Sequence, residues 1–229
     1  MKIVFKILLI FFLILCYQCN KQKKVSTKKS FVKLTKKPKE KQIEKAWDSL
    51  NKNNVTVFLS AYGEKNKETK VIIKTAYGNI KIRLYNNTPL HRANFIFLTK
   101  IKYFNTTVFY RVAKNFVLQG GNSDNFQTVK DRYKYGNYKL PTEFRKNRRH
   151  KYGALAAARD WKKNPGKLSS PFEFYIVQNR DGAHHLNNEH TVFGEVISGF
   201  DTMDKIAKLK VGEDEWPEQD VNMKVEILD

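Results

Sequence analysis

Phe109-Tyr110-Arg111-Val112-Ala113-Lys114-Asn115-Phe116-Val117-Leu118-Gln119-Gly120-Gly121 sets one arginine among apolar and aromatic residues, places a glutamine eight positions after it and closes on two glycines whose backbones turn freely. The residues on either side of Lys114 and Asn115 read as two short strands, 107–113 and 116–119, rich in the aromatic and β-branched side chains that fit a pleated surface. Taken alone, Arg111 is either a surface cation between core residues or a donor held in place for chemistry. The neighbouring segments decide between these.

Six further strand-like segments flank this run, at 71–76, 79–85, 153–158, 173–177, 191–196 and 221–228. Eight strands with turns between them predict a mainly β domain, an eight-stranded closed antiparallel barrel that leaves no edge exposed. Two helices interrupt the strands and are expected to cap the barrel. The first takes Thr88 as N-cap and Pro89 at the first helical position, where the missing N–H costs nothing, and turns Leu90, Ala93, Phe97 and Leu98 toward a core. The second follows Gly199, with Met203, Ile206 and Ala207 on one side. Ahead of the barrel, Val55, Phe58, Leu59 and Tyr62 follow helical spacing with Gly63 after them. Residues 40–65 are therefore expected to form a short helical lead-in, and residues 66–229 the main domain.

Tyr77-Gly78-Asn79-Ile80-Lys81-Ile82-Arg83-Leu84, Thr88-Pro89 with Ala93-Asn94-Phe95, the opening run, Gly153-Ala154-Leu155-Ala156-Ala157-Ala158-Arg159, Phe172-Glu173-Phe174-Tyr175-Ile176 and His190-Thr191-Val192-Phe193-Gly194 occur in the order in which cyclophilins carry their signatures. From about residue 70 onward the chain resembles a cyclophilin-type peptidyl-prolyl cis-trans isomerase, here in a bacterial lipoprotein form. The resemblance implies the helix-capped barrel and an activity on Xaa-Pro bonds. It also puts Phe109, Phe116, Val117, Tyr175, Leu186 and His190 on the proline-pocket positions, with Ala158 and Arg159 lining the peptide groove. The chain departs from the family pattern at Tyr110, where the family has His, and at Phe172-Glu173-Phe174-Tyr175, which replaces Ser-Gln-Phe-Phe. Ala157 stands for a methionine and His185 for a frequent tryptophan. Glu173 adds a charge that either favours cationic substrates or pairs with a nearby arginine, and Tyr175 adds a hydroxyl to the pocket.

Rotation about an Xaa-Pro bond needs neither nucleophile nor cofactor, only better binding of the twisted amide than of either planar form. Twisting localises the lone pair on the proline nitrogen. A guanidinium offers five directed donors at permanent charge, so Arg111 fits that task, and the amide of Gln119 can hold the substrate backbone. These two are the candidate catalytic residues. No metal is expected: His184, His185 and His190 do not share the spacing of a one-face site, and Glu213-Asp214-Glu215 lacks the twelve-residue calcium loop and reads as an exposed turn.

The chain's start reads differently. Lys2 and Lys6 precede an unbroken apolar run over residues 7–15, too short to span a bilayer but suited to a secretory signal. Cys16 and Cys19 lie where the run ends, and either is a candidate lipidation site, so residues 1–19 are expected to be a signal peptide with an anchor. A redox or zinc role for the pair lacks the surrounding strand and helix and a second pair. Residues 20–46 hold eleven lysines against Glu40 and Glu44, which accounts for +9 of the formal net charge of +21. Such a segment cannot bury enough surface to offset its ordering entropy, so 20–39 is read as a flexible tether. These features predict an exported lipoprotein facing the periplasm, whose partners are Xaa-Pro segments of exported proteins and, through the tether, anionic lipid or envelope polymer. Nucleic acid is disfavoured, because the aromatics are spread through strands instead of forming a stacking platform. Two rival readings fit the same sequence: a proline-peptide-binding module without turnover, and an anionic-polymer-binding lipoprotein.

Overall fold

The computed structural model describes residues 49–228; the expected signal, Cys16, Cys19, the tether and the first part of the lead-in lie outside them. Eight strands follow in chain order: β1 (Lys70–Thr75), β2 (Gly78–Leu84), β3 (Val108–Ala113), β4 (Val117–Asn122), β5 (Ala154–Ala157), β6 (Phe174–Val177), β7 (Val192–Ser198) and β8 (Lys224–Ile227). They form one antiparallel sheet in the order β3-β4-β6-β5-β7-β2-β1-β8.

The expected closed barrel is corrected here to an open, curled sheet. Between the edge strands β3 and β8 there is no ladder among the described residues, only an isolated bridge between Val108 and Asn222. Around it, the Phe109 N–H donates to the Val221 carbonyl at 3.0 Å and the Met223 N–H to the Thr107 carbonyl at 3.3 Å. Two register shifts in the β3–β4 pair bend β3, and the four residues of β8 are occupied in pairing with β1. The seam stops after one bridge.

Among the described residues four α-helices accompany the sheet: α1 (Val55–Lys65), α2 (Pro89–Lys100), α3 (Phe126–Tyr135) and α4 (Phe200–Ile206). Within the expected lead-in, α1 buries Val55 and Leu59 and sets Phe58 and Tyr62 edge-on to Phe97 of α2. Residues 91–99 of α2 are all buried. Pro89 opens the helix as read, but the Thr88 hydroxyl donates to the Tyr85 carbonyl instead of capping it. Helix α3 falls outside the sequence expectation.

Strand alternation builds two apolar layers. Leu155 and Ala157 of β5 and Phe174 and Ile176 of β6 join the main core, with Phe95, Phe104 and Phe193 around them. Ala154, Ala156, Tyr175 and Val177 point the other way, into a second cluster with Val117, Ala158, Leu186 and Val192. This is why both strands are buried at every position, and the second layer carries the candidate site.

Candidate active site

In the β3–β4 pair, Phe109 stands opposite Gly120 and Arg111 opposite Gln119, leaving Tyr110 as an extra residue. A bulge of this kind lets neighbouring side chains share one face. Tyr110 and Arg111 are both half-buried beside Gln119, whereas Phe109 is fully buried in the main core, against Phe174. Phe109 is thus corrected from a pocket residue to a core residue.

Both Nε and Nη2 of Arg111 lie 2.7 Å from one carboxylate oxygen of Glu215, while Nη1 donates to Gln119 Oε1 at 3.5 Å. The guanidinium carbon sits 5.9 Å from the Phe116 ring centroid. On the other side, Gln119 Nε2 donates to the Tyr110 hydroxyl, which donates to Glu173 at 3.2 Å. Arg132, reaching over from α3, donates to Glu173 at 2.9 Å and to the Gly121 carbonyl at 3.0 Å. Of the two alternatives open for Glu173, the arginine pair is the one present. Burial and then the Glu173 charge push the Tyr110 hydroxyl well above its ordinary pKa, so it stays a neutral donor.

Arg111 and Gln119 border a cavity of about 410 Å³ lined also by Phe116, Val117, Ala158, Arg159, Tyr175, Leu186 and His190. Apart from Phe109 and Glu173, every residue expected to catalyse or bind substrate lines this one cavity. Glu173 lines an adjoining cavity of about 660 Å³, which shares Gln119, Ala158 and Arg159 with the first. Arg159 is tied back: its Nε donates to the Glu189 carbonyl at 2.7 Å, and its guanidinium stacks on Trp161 at 4.2 Å.

At the floor, the Tyr175 hydroxyl donates to His150 Nε2 at 2.9 Å, and His150 Nδ1 meets Asn187 Oδ1 at 3.0 Å. Burial holds the His150 pKa down to about 4. His190 donates from Nδ1 to the Ala157 carbonyl at 2.9 Å, and burial keeps it below its ordinary value despite that bond. Both rings are neutral at pH 7. Sequence reasoning missed Trp161, Arg132 and Glu215 as neighbours of the site; none is marked by a local pattern.

The family model "Cyclophilin type peptidyl-prolyl cis-trans isomerase/CLD" matches residues 70–227. The chain belongs to the cyclophilin-type isomerases. A peptidyl-prolyl cis-trans isomerase of Acinetobacter baylyi is 36% identical over 67% of this chain and 78% of that protein. The peptidyl-prolyl cis-trans isomerase-like 2 protein of Rhizopus delemar is 33% identical over 71% of this chain, which spans only 29% of that longer protein. A crystal structure of a Cryptosporidium parvum cyclophilin type isomerase, obtained in the presence of the dipeptide Ala-Pro, superposes with a TM-score of 0.59 at 26% identity, covering 70% of this chain and 99% of that one.

In this cyclophilin the departures at Tyr110, Glu173 and Tyr175 each have a hydrogen-bond partner. Tyr110, Gln119, Glu173 and Arg132 form one hydrogen-bonded chain, and the added Tyr175 hydroxyl has His150 as its acceptor. A buried hydroxyl or carboxylate left without partners would be costly, and each of these has one.

Proposed function

We propose that the domain accelerates cis–trans isomerisation of Xaa-Pro bonds in extended segments of exported proteins, with Arg111 and Gln119 as catalytic residues. The carrying observation is a guanidinium fixed at the rim of a small apolar recess, with an oriented amide beside it. Phe116, Val117, Tyr175, Leu186 and His190 receive the proline ring. Ala-Pro with the Cryptosporidium parvum relative supports proline-containing peptides as substrates. The planar amide resists rotation by about 18–20 kcal/mol because of its partial double bond. As it twists, the lone pair collects on the proline nitrogen, and an N–H of Arg111 Nη1, the arm not bound to Glu215, donates to it. Gln119 holds the neighbouring backbone. A donor aligned before the twist stabilises the developing lone pair without having to reorganise.

The N-terminal part of the proposal rests on sequence alone. Residues 1–19 act as an export signal lipidated at Cys16 or Cys19, residues 20–39 act as the tether, and the domain faces the periplasm from a membrane. Mass spectrometry of the membrane fraction tests this by looking for an acylated cysteine at the mature N-terminus.

Exchange-spectroscopy NMR on a short Ala-Pro peptide with catalytic amounts of protein tests the chemistry. Arg111→Ala is expected to lower efficiency by about a hundredfold, equivalent to about 2.7 kcal/mol of transition-state stabilisation. No acceleration by the unaltered protein on any of several Xaa-Pro peptides would overturn the reading.

A further inference from the structure

Helix α3 turns its apolar stripe away from the protein. Thr128 and Tyr135 are buried on one side, while Phe126, Val129 and Tyr133 are 75%, 59% and 91% exposed on the other. Spacings of three and four residues put those three side chains on a single face. Lys130 and Lys134 run along one edge of it, the first with its ammonium 5.8 Å from the Phe126 ring centroid. The chain also enters the domain here. The Leu50 N–H donates to the Tyr135 carbonyl at 3.0 Å, and the Ser49 hydroxyl to the Lys134 carbonyl at 3.4 Å. The first described residues, Ser49 and Leu50, therefore lie against the C-terminal end of α3.

An exposed stripe of Phe, Val and Tyr bordered by lysines is the side-chain pattern of a helix lying in the plane of a lipid–water interface. Its charge complements anionic headgroups. We propose that α3 is a membrane-contact helix, with Phe126, Val129 and Tyr133 entering the headgroup layer of an anionic bilayer and Lys130 and Lys134 facing lipid phosphates. This rests on the proposed membrane attachment of the N-terminus, which raises the local concentration of α3 near the bilayer. Tyr133 also lines the larger cavity beside the proline recess, so the contact holds one mouth of the groove against the bilayer.

The test uses the full chain with vesicles of phosphatidylcholine alone or mixed equally with phosphatidylglycerol, probed by hydroxyl-radical footprinting. Phe126, Val129 and Tyr133 are expected to lose most of their modification on the anionic vesicles only, while the exposed Ile197 of β7 keeps its own. Lys130→Glu with Lys134→Glu, both at exposed positions, should restore the modification with the circular dichroism unchanged. Equal modification on the two vesicle types would overturn the proposal. So would protection without lipid, whether constant, meaning cover by the chain's own N-terminal segment, or rising with protein concentration, meaning cover by a second copy. Vesicle flotation in high salt reads attachment separately. If flotation fails while low-salt protection on anionic vesicles persists, the attachment reading falls and the helix contact stands; if both fail, both fall.

Discussion

Glu215 holds Arg111 from 104 residues away, its carboxylate oxygen 2.7 Å from the guanidinium Nε. The loop that carries Glu215 is itself fixed to β3, because the Val112 N–H donates to the Glu215 carbonyl at 2.8 Å. Both side chains are partly exposed, so the pair adds little to stability. What it does is restrict a long side chain to one direction, with Nη1 toward Gln119. Glu215→Ala should therefore lower kcat with little change in the melting temperature. Freeing one such side chain amounts to about 0.5–1.5 kcal/mol, or about two- to tenfold in rate. Glu215→Gln should recover part of the loss, since its amide oxygen can still accept. Steady-state exchange rates of the three proteins check this, and an unaltered kcat in Glu215→Ala would show that Arg111 is held by other contacts.

Burial makes His150 a stability sensor. Its folded pKa of about 4 lies below the value of about 6.5 expected in the unfolded chain. The unfolded state therefore binds a proton first as pH falls. The stability tied to neutral His150 is complete above about pH 6.5 and is lost progressively down to about pH 4, by about 3 kcal/mol across that window. His190 is shifted in the same direction and adds to the loss. Urea melts at pH 7 and pH 4.5 measure it, and a His150 resonance titrating near pH 6.5 in the folded protein would contradict the assignment.

Phe109 separates the core from the groove. Because it is fully buried beside Phe174 and Gly120, Phe109→Ala should cost about 3–5 kcal/mol of stability through lost packing and the cavity left behind. Peptide affinity of the fraction that remains folded should hardly change. A variant with native stability and weakened peptide binding would return Phe109 to the pocket.

That residue also shows how far the sequence could be read. Strict alternation puts positions 109 and 111 on one face, but the bulge at Tyr110 turns Phe109 inward and leaves Tyr110 and Arg111 together on the groove. No residue in the run marks the bulge. Helix α3 has a cap signal, with Asn125 accepting from the Gln127 N–H at 2.8 Å and Gly136 after its end. Yet Phe126, Val129 and Tyr133 face outward, so its apolar positions never read as a core face. Period-two patterning marks each strand to within a few residues, because burial on a sheet face is local. It says nothing about whether the edges meet, and only the Val108–Asn222 bridge answers that. Arg111, Gln119, Phe116 and His190 lie within motifs and could be named in advance. Glu215, which holds Arg111, Arg132, which holds Glu173, and His150, which holds the Tyr175 hydroxyl, come from distant segments and could not.

The last prediction concerns substrate preference. Glu173 is the charge that the chain adds to the groove, and Arg132 neutralises it at 2.9 Å with the side chains 29% and 22% exposed. Both line the larger cavity next to the proline recess, so a peptide residue lying there meets a pair with no net charge. Removing either member unmasks the other. Glu173→Gln leaves the Arg132 cation facing the cavity and should shift preference toward peptides with an acidic side chain near the proline; Arg132→Ala leaves the carboxylate and should favour lysine or arginine. Each shift should be worth about 1 kcal/mol, or about fivefold in kcat/KM, and should shrink as salt screens the exposed side of the cavity. Adding Tyr175→Phe to Glu173→Gln removes the hydroxyl from the recess, leaves Arg111 in place, and should preserve the reaction itself. The check is a peptide set differing only in the charge of the residues before proline, assayed at low and high salt. Opposite shifts for the two single variants support a neutral pair in the unaltered groove. Identical preferences in all three proteins would mean that the substrate never enters the larger cavity.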